Sequence, residues 1–171
     1  MLTPLARRTY APRGQTPVQD CWDRRDRISA ISAITVSPTL RRLGLQGLLL
    51  PTNQNVHGED IVMFLRLLKR HLHRPLTILW DRSRVHDRCR VVQQYLAQHP
   101  EIVTEPLPAY APELNPDEGV WQHTKYSRMP NYAPRDVAAL RRRVTSELKQ
   151  LRRQPHHLAA FIEHTGLPLR L

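Results

Sequence analysis

Two carboxylates stand where chemistry is possible. Asp81 follows the apolar run Leu76-Thr77-Ile78-Leu79-Trp80, and the carboxyl end of a parallel strand is where open α/β sheets place their ligands. A turn or helix-capping aspartate fits the same position. Glu118 lies in Asn115-Pro116-Asp117-Glu118. This reads as a capping box, with Asn115 as N-cap, Pro116 at the first helical position and Glu118 reaching back to the cap amide. Spacing alone does not bring the two together, because 36 residues lie between them.

Charge gives these carboxylates a setting. The 171 residues hold 26 Lys+Arg against 15 Asp+Glu, a net charge of +11. Such a balance points to a polyanionic partner, most simply nucleic acid, and away from a typical acidic enzyme. Residues 1–50 carry +5, residues 51–118 carry −1 and residues 119–171 carry +7. A carboxylate-bearing middle between cationic flanks suits metal-dependent chemistry on a polyanion; a globular protein with a basic surface shows the same pattern. All but three of the basic residues are Arg, which grips phosphates bidentately, although GC-rich codon usage produces the same excess.

Cys21 and Cys89 lie far apart with no CxxC spacing, which excludes a disulfide framework or zinc ribbon. His71 with His73, and His156 with His157, lack partners at zinc-site spacing and read as surface imidazoles. No apolar stretch reaches the roughly 18 residues of a membrane span. The start, Met1 to Arg8, has no apolar core of a signal peptide. The expectation is a cytoplasmic bacterial protein, associated with the nucleoid when bound to DNA, and no membrane partner.

Several elements must position the carboxylates. Prolines 4, 12 and 17 with Gly14 mark residues 1–26 as loop. Ile28 to Val36 predicts a strand packed on both faces, and Gly47 to Thr52 a shorter one. Glu59 to Leu72 predicts a helix with Ile61, Phe64, Leu65, Leu68 and Leu72 on one stripe. A buried parallel strand at Leu76–Trp80, a helix from His86 to Gln98 and a strand at Ile102–Thr104 follow, an α/β order. Four prolines stiffen Glu105–Pro116 into an extended loop. Asp136–Arg153 predicts a helix bearing Arg141, Arg142 and Arg143 on its polar faces. Pro155–His164 predicts a last helix closed by Gly166. The chain reads as one domain over 1–171: a loop-rich lead-in (1–26), a sheet-helix core with the acidic residues (27–126) and a basic helical tail (127–171).

The block LPAYAPELNPDEGVW at 107–121, followed by Lys125, resembles the signature of DDE transposases. The likeness is to the bacterial insertion sequence 630 family of the mariner superfamily, whose block reads LPPYSPELNPIExVW and then Lys. Leu79-Trp80-Asp81-Arg82-Ser83-Arg84-Val85-His86 is similar to the segment holding that family's second catalytic Asp. Arg8-Thr9-Tyr10-Ala11-Pro12-Arg13-Gly14-Gln15-Thr16-Pro17 is similar to its R-T-W-A-P-R-G-Q-T-P segment.

The resemblance implies a ribonuclease-H-like fold, a mixed sheet flanked by helices, and cutting and joining of DNA strands with Mg²⁺ or Mn²⁺. Asp81 would bridge two ions and Glu118 bind one. Arg82, His86, Lys125, Arg141, Arg142 and Arg143 would meet DNA. Tyr110, Pro112, Asn115, Pro116 and Trp121 would shape the motif, with Tyr110 and Trp121 anchoring the loop against the core. In the family the first catalytic Asp lies on a central strand upstream of Leu2-Thr3-Pro4. Asp20, Asp23 and Asp26 precede the wrong strand to replace it and read as solvated loop carboxylates. The expectation is a catalytic-domain fragment lacking that strand, with two half-sheets and exposed edges. The alternative is an inactive DNA-binding remnant that pairs with, or inhibits, an intact transposase copy; a homodimer is the other partner implied.

Overall fold

β-Branched and small residues build β1 (Ile28–Ser37), which pairs antiparallel with β2 (Arg42–Thr52) through Ile31 opposite Leu48 and Ile34 opposite Leu45. The computed structural model describes residues 5–18, 20, 26–37 and 42–167; Cys21, Trp22 and Asp23 lie outside them. Ile31 packs against Ile61, Val62, Leu65 and Val92, whereas Ile34 packs against Leu45, Val120 and Leu158. Both faces of β1 are therefore covered, as its composition predicts. β2 begins earlier than Gly47, because Leu43 and Leu45 already alternate along the ladder toward Val36 and Ile34.

The stripe Ile61, Phe64, Leu65 and Leu68 is buried in α1 (Gly58–Leu72). Its start is fixed by the Asp60 carboxylate, which accepts the His57 backbone N–H at 2.8 Å. β3 (Leu76–Trp80) runs parallel to β4 (Ile102–Pro106), from Leu76 opposite Ile102 to Trp80 opposite Pro106. Burial of β3 is one-sided rather than complete. Leu76, Ile78 and Trp80 join the α1 core, while Leu79 is 44 % and Val103 50 % exposed. The helix expected over 86–98 is two, α2 (Arg84–Asp87) and α3 (Arg90–Ala97), split where Cys89 turns extended. Gly58 and Cys89 meet there so closely that a Cβ on Gly58 would lie 2.2 Å from the Cys89 Sγ.

A 3₁₀ turn at Pro112–Leu114 leads into α4 (Pro116–Gln122), which continues as a wide π turn over His123–Arg128. In α5 (Val137–Arg152) the predicted cap Asp136 accepts the Ala139 N–H at 2.5 Å. α6 (Pro155–His164) ends before Gly166, whose φ of +66° suits its place after the helix. Val120, Leu151 and Leu158 lock α4, α5 and α6 onto Leu45 of β2.

Among the described residues no ladder joins the β1–β2 pair to the β3–β4 pair. This mixed α/β arrangement of half-sheets and flanking helices is the one expected of a ribonuclease-H-like sheet whose central strand is not among those residues. No helix among the described residues is long and apolar enough to cross a membrane.

Candidate active site

Glu118 does not close the capping box read from the sequence. The Asn115 side chain accepts from the Asp117 N–H at 3.1 Å, and the Asn115 carbonyl accepts from the Glu118 N–H at 3.0 Å. The Asn115 N–H is itself spent on the Pro112 carbonyl at 3.0 Å. The cap amide is thus occupied, and the exposed Glu118 carboxylate makes no hydrogen bond or ion pair among the described residues. It lines a cavity of about 1050 Å³ together with Arg7, Trp121, Gln122, Lys125 and Tyr126.

The helix that presents Glu118 is held from beneath by its neighbour. Asp117 Oδ2 accepts from Ser32 Oγ of β1 at 2.5 Å and from Trp121 Nε1 at 3.1 Å, while its Oδ1 is buried without a partner. Burial pushes the Asp117 carboxyl up to about 6, against the two hydrogen bonds that favour its charged form; the Glu118 charge adds to the rise. Gly119 lets α4 approach α6, since a Cβ there would lie 2.8 Å from the Phe161 ring. Trp121 anchors the motif as expected. Tyr110 does not: it stands fully exposed with φ +58°.

Arg7 reaches the cavity along a short bridge. Leu5 pairs with Pro130, Asn131 N–H donates to the Leu5 carbonyl, and Arg7 N–H donates to Asn131 Oδ1 at 2.7 Å. Its guanidinium lies 5.7 Å from the centre of the Tyr126 ring. With Lys125 it sets two cations around the Glu118 cavity.

Asp81 sits at the end of β3, as its sequence position predicts, with its side chain 59 % exposed. Its Oδ1 accepts the Ser83 N–H at 3.0 Å and pairs with His86 Nδ1 at 2.8 Å. His86 is stacked on Trp80, the ring centres 4.7 Å apart and the planes within 3°. The stacked ring thus holds the nitrogen that pairs with Asp81. Arg82 donates to the Leu107 carbonyl at 3.2 Å and fastens the loop that leads to α4.

The arginine triplet divides. Arg141 donates to the Leu49 and Leu50 carbonyls of β2. Arg143 pairs with the buried Glu147 at 2.9 Å, as Arg128 does at 2.8 Å. Arg142 alone is exposed with no partner among the described residues. Of the loop aspartates, Asp26 accepts from the Asn53 side chain at 2.8 Å. His157, read as a surface imidazole, is half-buried, 4.8 Å from the His123 ring. Desolvation, and then the nearby charges of His157 and Arg128, hold His123 below the usual imidazole range. Asp117, Arg7 and Glu147 went unmarked in the sequence reading. Their roles depend on partners remote along the chain, for which spacing carries no signal.

Asp81 does not line the Glu118 cavity, and no group of three or more His, Cys, Asp or Glu among the described residues is placed to hold a metal ion. Asp81 and Glu118 offer hard oxygen ligands of the right kind for Mg²⁺ or Mn²⁺, but two carboxylates do not make a complete two-ion centre.

A family model described as DDE superfamily endonuclease matches residues 2–141. Comparison with curated proteins gives no match. Among solved structures, the Mos1 mariner paired end complex with Mn is similar at TM-score 0.57 and 16% identity, covering 98% of this chain and 53% of that one. The Mos1 strand transfer complex is similar at TM-score 0.57 and 15% identity, covering 97% and 51%. The chain thus spans about half the length of the chains it matches, and at this identity the likeness is one of fold.

Proposed function

This chain belongs to the DDE superfamily endonucleases, and we propose from that premise that it is part of a transposase catalytic domain acting on DNA. The observation that carries this reading is the free Glu118 carboxylate, presented by a rigidly tied helix beside Arg7 and Lys125. A negative ligand in a cationic cavity suits a phosphodiester held by the cations, with the carboxylate left for a divalent ion. In this reading Asp81 and Glu118 are two of the ion ligands. The ion, when bound, would polarise the phosphodiester and activate the attacking oxygen. Lys125, Arg7 and Arg142 would hold phosphates, and the exposed Tyr110 ring is available to a base.

The third carboxylate belongs, by the resemblance, to a strand between β1 and β3. The absence of a ladder between these two among the described residues supports that placement. Without it we assign no chemical step to the chain alone. The second reading is a DNA-binding remnant that pairs with an intact copy or with itself; what supports it is that no group of three ligands comes together among the described residues. In a bacterial cell, either reading would put the chain in the cytoplasm with the DNA.

Nicking of a supercoiled plasmid in Mg²⁺ or Mn²⁺ tests the choice. The chain should bind the plasmid without nicking it. Nicking would appear when a family member's first strand, with its Asp, is joined ahead of Leu2, and would vanish again in Asp81→Ala and Glu118→Ala. A joined chain that binds but never nicks favours the remnant.

A further inference from the structure

The net charge of −1 over residues 51–118 hides a separation in space. α1 ends where β3 begins, with only three residues between Leu72 and Leu76. The carboxyl half of α1 therefore lies at the opposite end of the parallel strands from Asp81. Five strand residues intervene, a span of roughly 13 Å at about 3.3 Å per residue. At that far end Arg66, Lys69, Arg70 and Arg74 border a cleft of about 690 Å³, closed on its other side by Tyr95, His99 and Glu101.

The one carboxylate of this cleft is already used. Glu101 pairs with Lys69 and lies 3.2 Å from His99 Nδ1, which is itself 3.0 Å from Lys69 Nζ. Lys69 holds the Glu101 carboxyl down at about 2. The Arg66 guanidinium carbon lies over the ring of the buried Tyr95, 5.4 Å from its centre, a contact that does not neutralise its charge. Arg70 and Arg74 are exposed and have no hydrogen-bond or ion-pair partner among the described residues. Arg66 and Arg70 stand one turn apart on the same helix face, and Arg74, beyond the left-handed His73 that ends the helix, borders the same cleft. Compensation of the helix dipole would call for cations in the last turn only. Arg66 precedes that turn and Arg74 lies outside it.

We propose that this cleft is a second binding surface for the phosphodiester backbone of duplex DNA, separate from the Glu118 cavity. Three guanidinium groups around one cleft suit the phosphate oxygens of a duplex backbone, and Tyr95 with the Lys69–Glu101–His99 cluster supplies the wall behind them. The inference rests on the reading of the chain as DNA-acting. It adds that DNA is gripped at both ends of the β3–β4 pair, so that one duplex wraps the domain or two are held at once.

Affinity for a short random-sequence duplex, measured across a salt series with the full chain, tests it. The triple variant Arg66→Ala, Arg70→Ala, Arg74→Ala should show a salt slope shallower by about 2.7, since each of the three lost phosphate contacts removes about 0.9. The triple lysine variant should keep most of the slope. Deuterium exchange of the unmodified protein gives a readout that does not depend on a variant folding: duplex should protect residues 66–74. If the unmodified chain binds duplex but the alanine variant keeps its slope and the segment gains no protection, this inference fails while the DNA-acting reading stands. If the unmodified chain does not bind duplex at all, both fail. Loss of binding to phosphatidylserine vesicles with duplex binding unchanged would overturn the proposal in favour of a membrane surface.

Discussion

Ser32 of β1 donates a 2.5 Å hydrogen bond to Asp117 of α4 across 85 positions of sequence. Through it, the helix that presents Glu118 is fastened to the β1–β2 half, while Asp81 belongs to the β3–β4 half. The two candidate ligands are held on separate frames, joined by the Leu107–Asn115 connection and by the core that Ile31 shares with α1. A site using both would need the two halves fixed relative to each other as well as a third carboxylate.

The buried Asp117 predicts a pH dependence of stability. Its carboxyl is raised from 3.8 to about 6 on folding, so the folded chain binds its proton more tightly. The stabilisation is fully present below about pH 4 and lost as pH rises through about 6, an effect on the order of 2–3 kcal/mol. Asp117→Asn keeps an acceptor for Ser32 and Trp121 and has no charge to bury. It should be more stable than the parent at pH 8 by a similar amount and lose the pH slope, as read by denaturant unfolding at several pH values.

Gly119 predicts a steric coupling. Adding a methyl group there drives into the Phe161 ring, so Gly119→Ala should cost about 1–3 kcal/mol. Combining it with Phe161→Leu should cost less than the sum of the two single changes. Additive losses in a double-mutant cycle would show that α4 and α6 do not meet there.

Glu147 is 3 % exposed between Arg128 and Arg143. Removing both arginines strands a buried charge and should destabilise by about 3–5 kcal/mol. Glu147→Gln leaves two half-exposed cations and should cost less. Thermal melts rank the two.

The arginines of α5 should separate by assay. Arg141→Ala frees two β2 carbonyls and should lower stability by about 1–3 kcal/mol. Arg142→Ala should leave stability within about 0.5 kcal/mol and reduce the salt slope of DNA binding by about 0.9. A reversed pattern would mean that Arg141, not Arg142, faces the phosphates.

The elements legible in the sequence were those whose signal is local. β1, α1 and β3 follow from runs and stripes of apolar residues, and the caps Asp136 and Asn115 from side chains acting within one turn. What escaped was set by distant partners. The break at Cys89 reflects the close approach of Gly58. The exposed faces of Leu79 and Val103 reflect a sheet covered on one side only, and no periodicity reports what lies above a sheet. The capping box expected at Glu118 does not form: the Pro112 carbonyl, in the preceding turn, takes the Asn115 amide that Glu118 would have bonded. Asp117 and Arg7 carried no motif of their own.

Asp81 and Glu118 are proposed to belong to one metal-dependent DNA site that needs a further strand. The most direct measurement is plasmid nicking in Mn²⁺ by three proteins: the chain itself, the chain with an Asp-bearing first strand joined ahead of it, and that joined chain carrying Asp81→Ala. Nicking is expected from the second protein alone. Nicking by the unmodified chain that Asp81→Ala abolishes would contradict it, because a complete site would then exist within these residues.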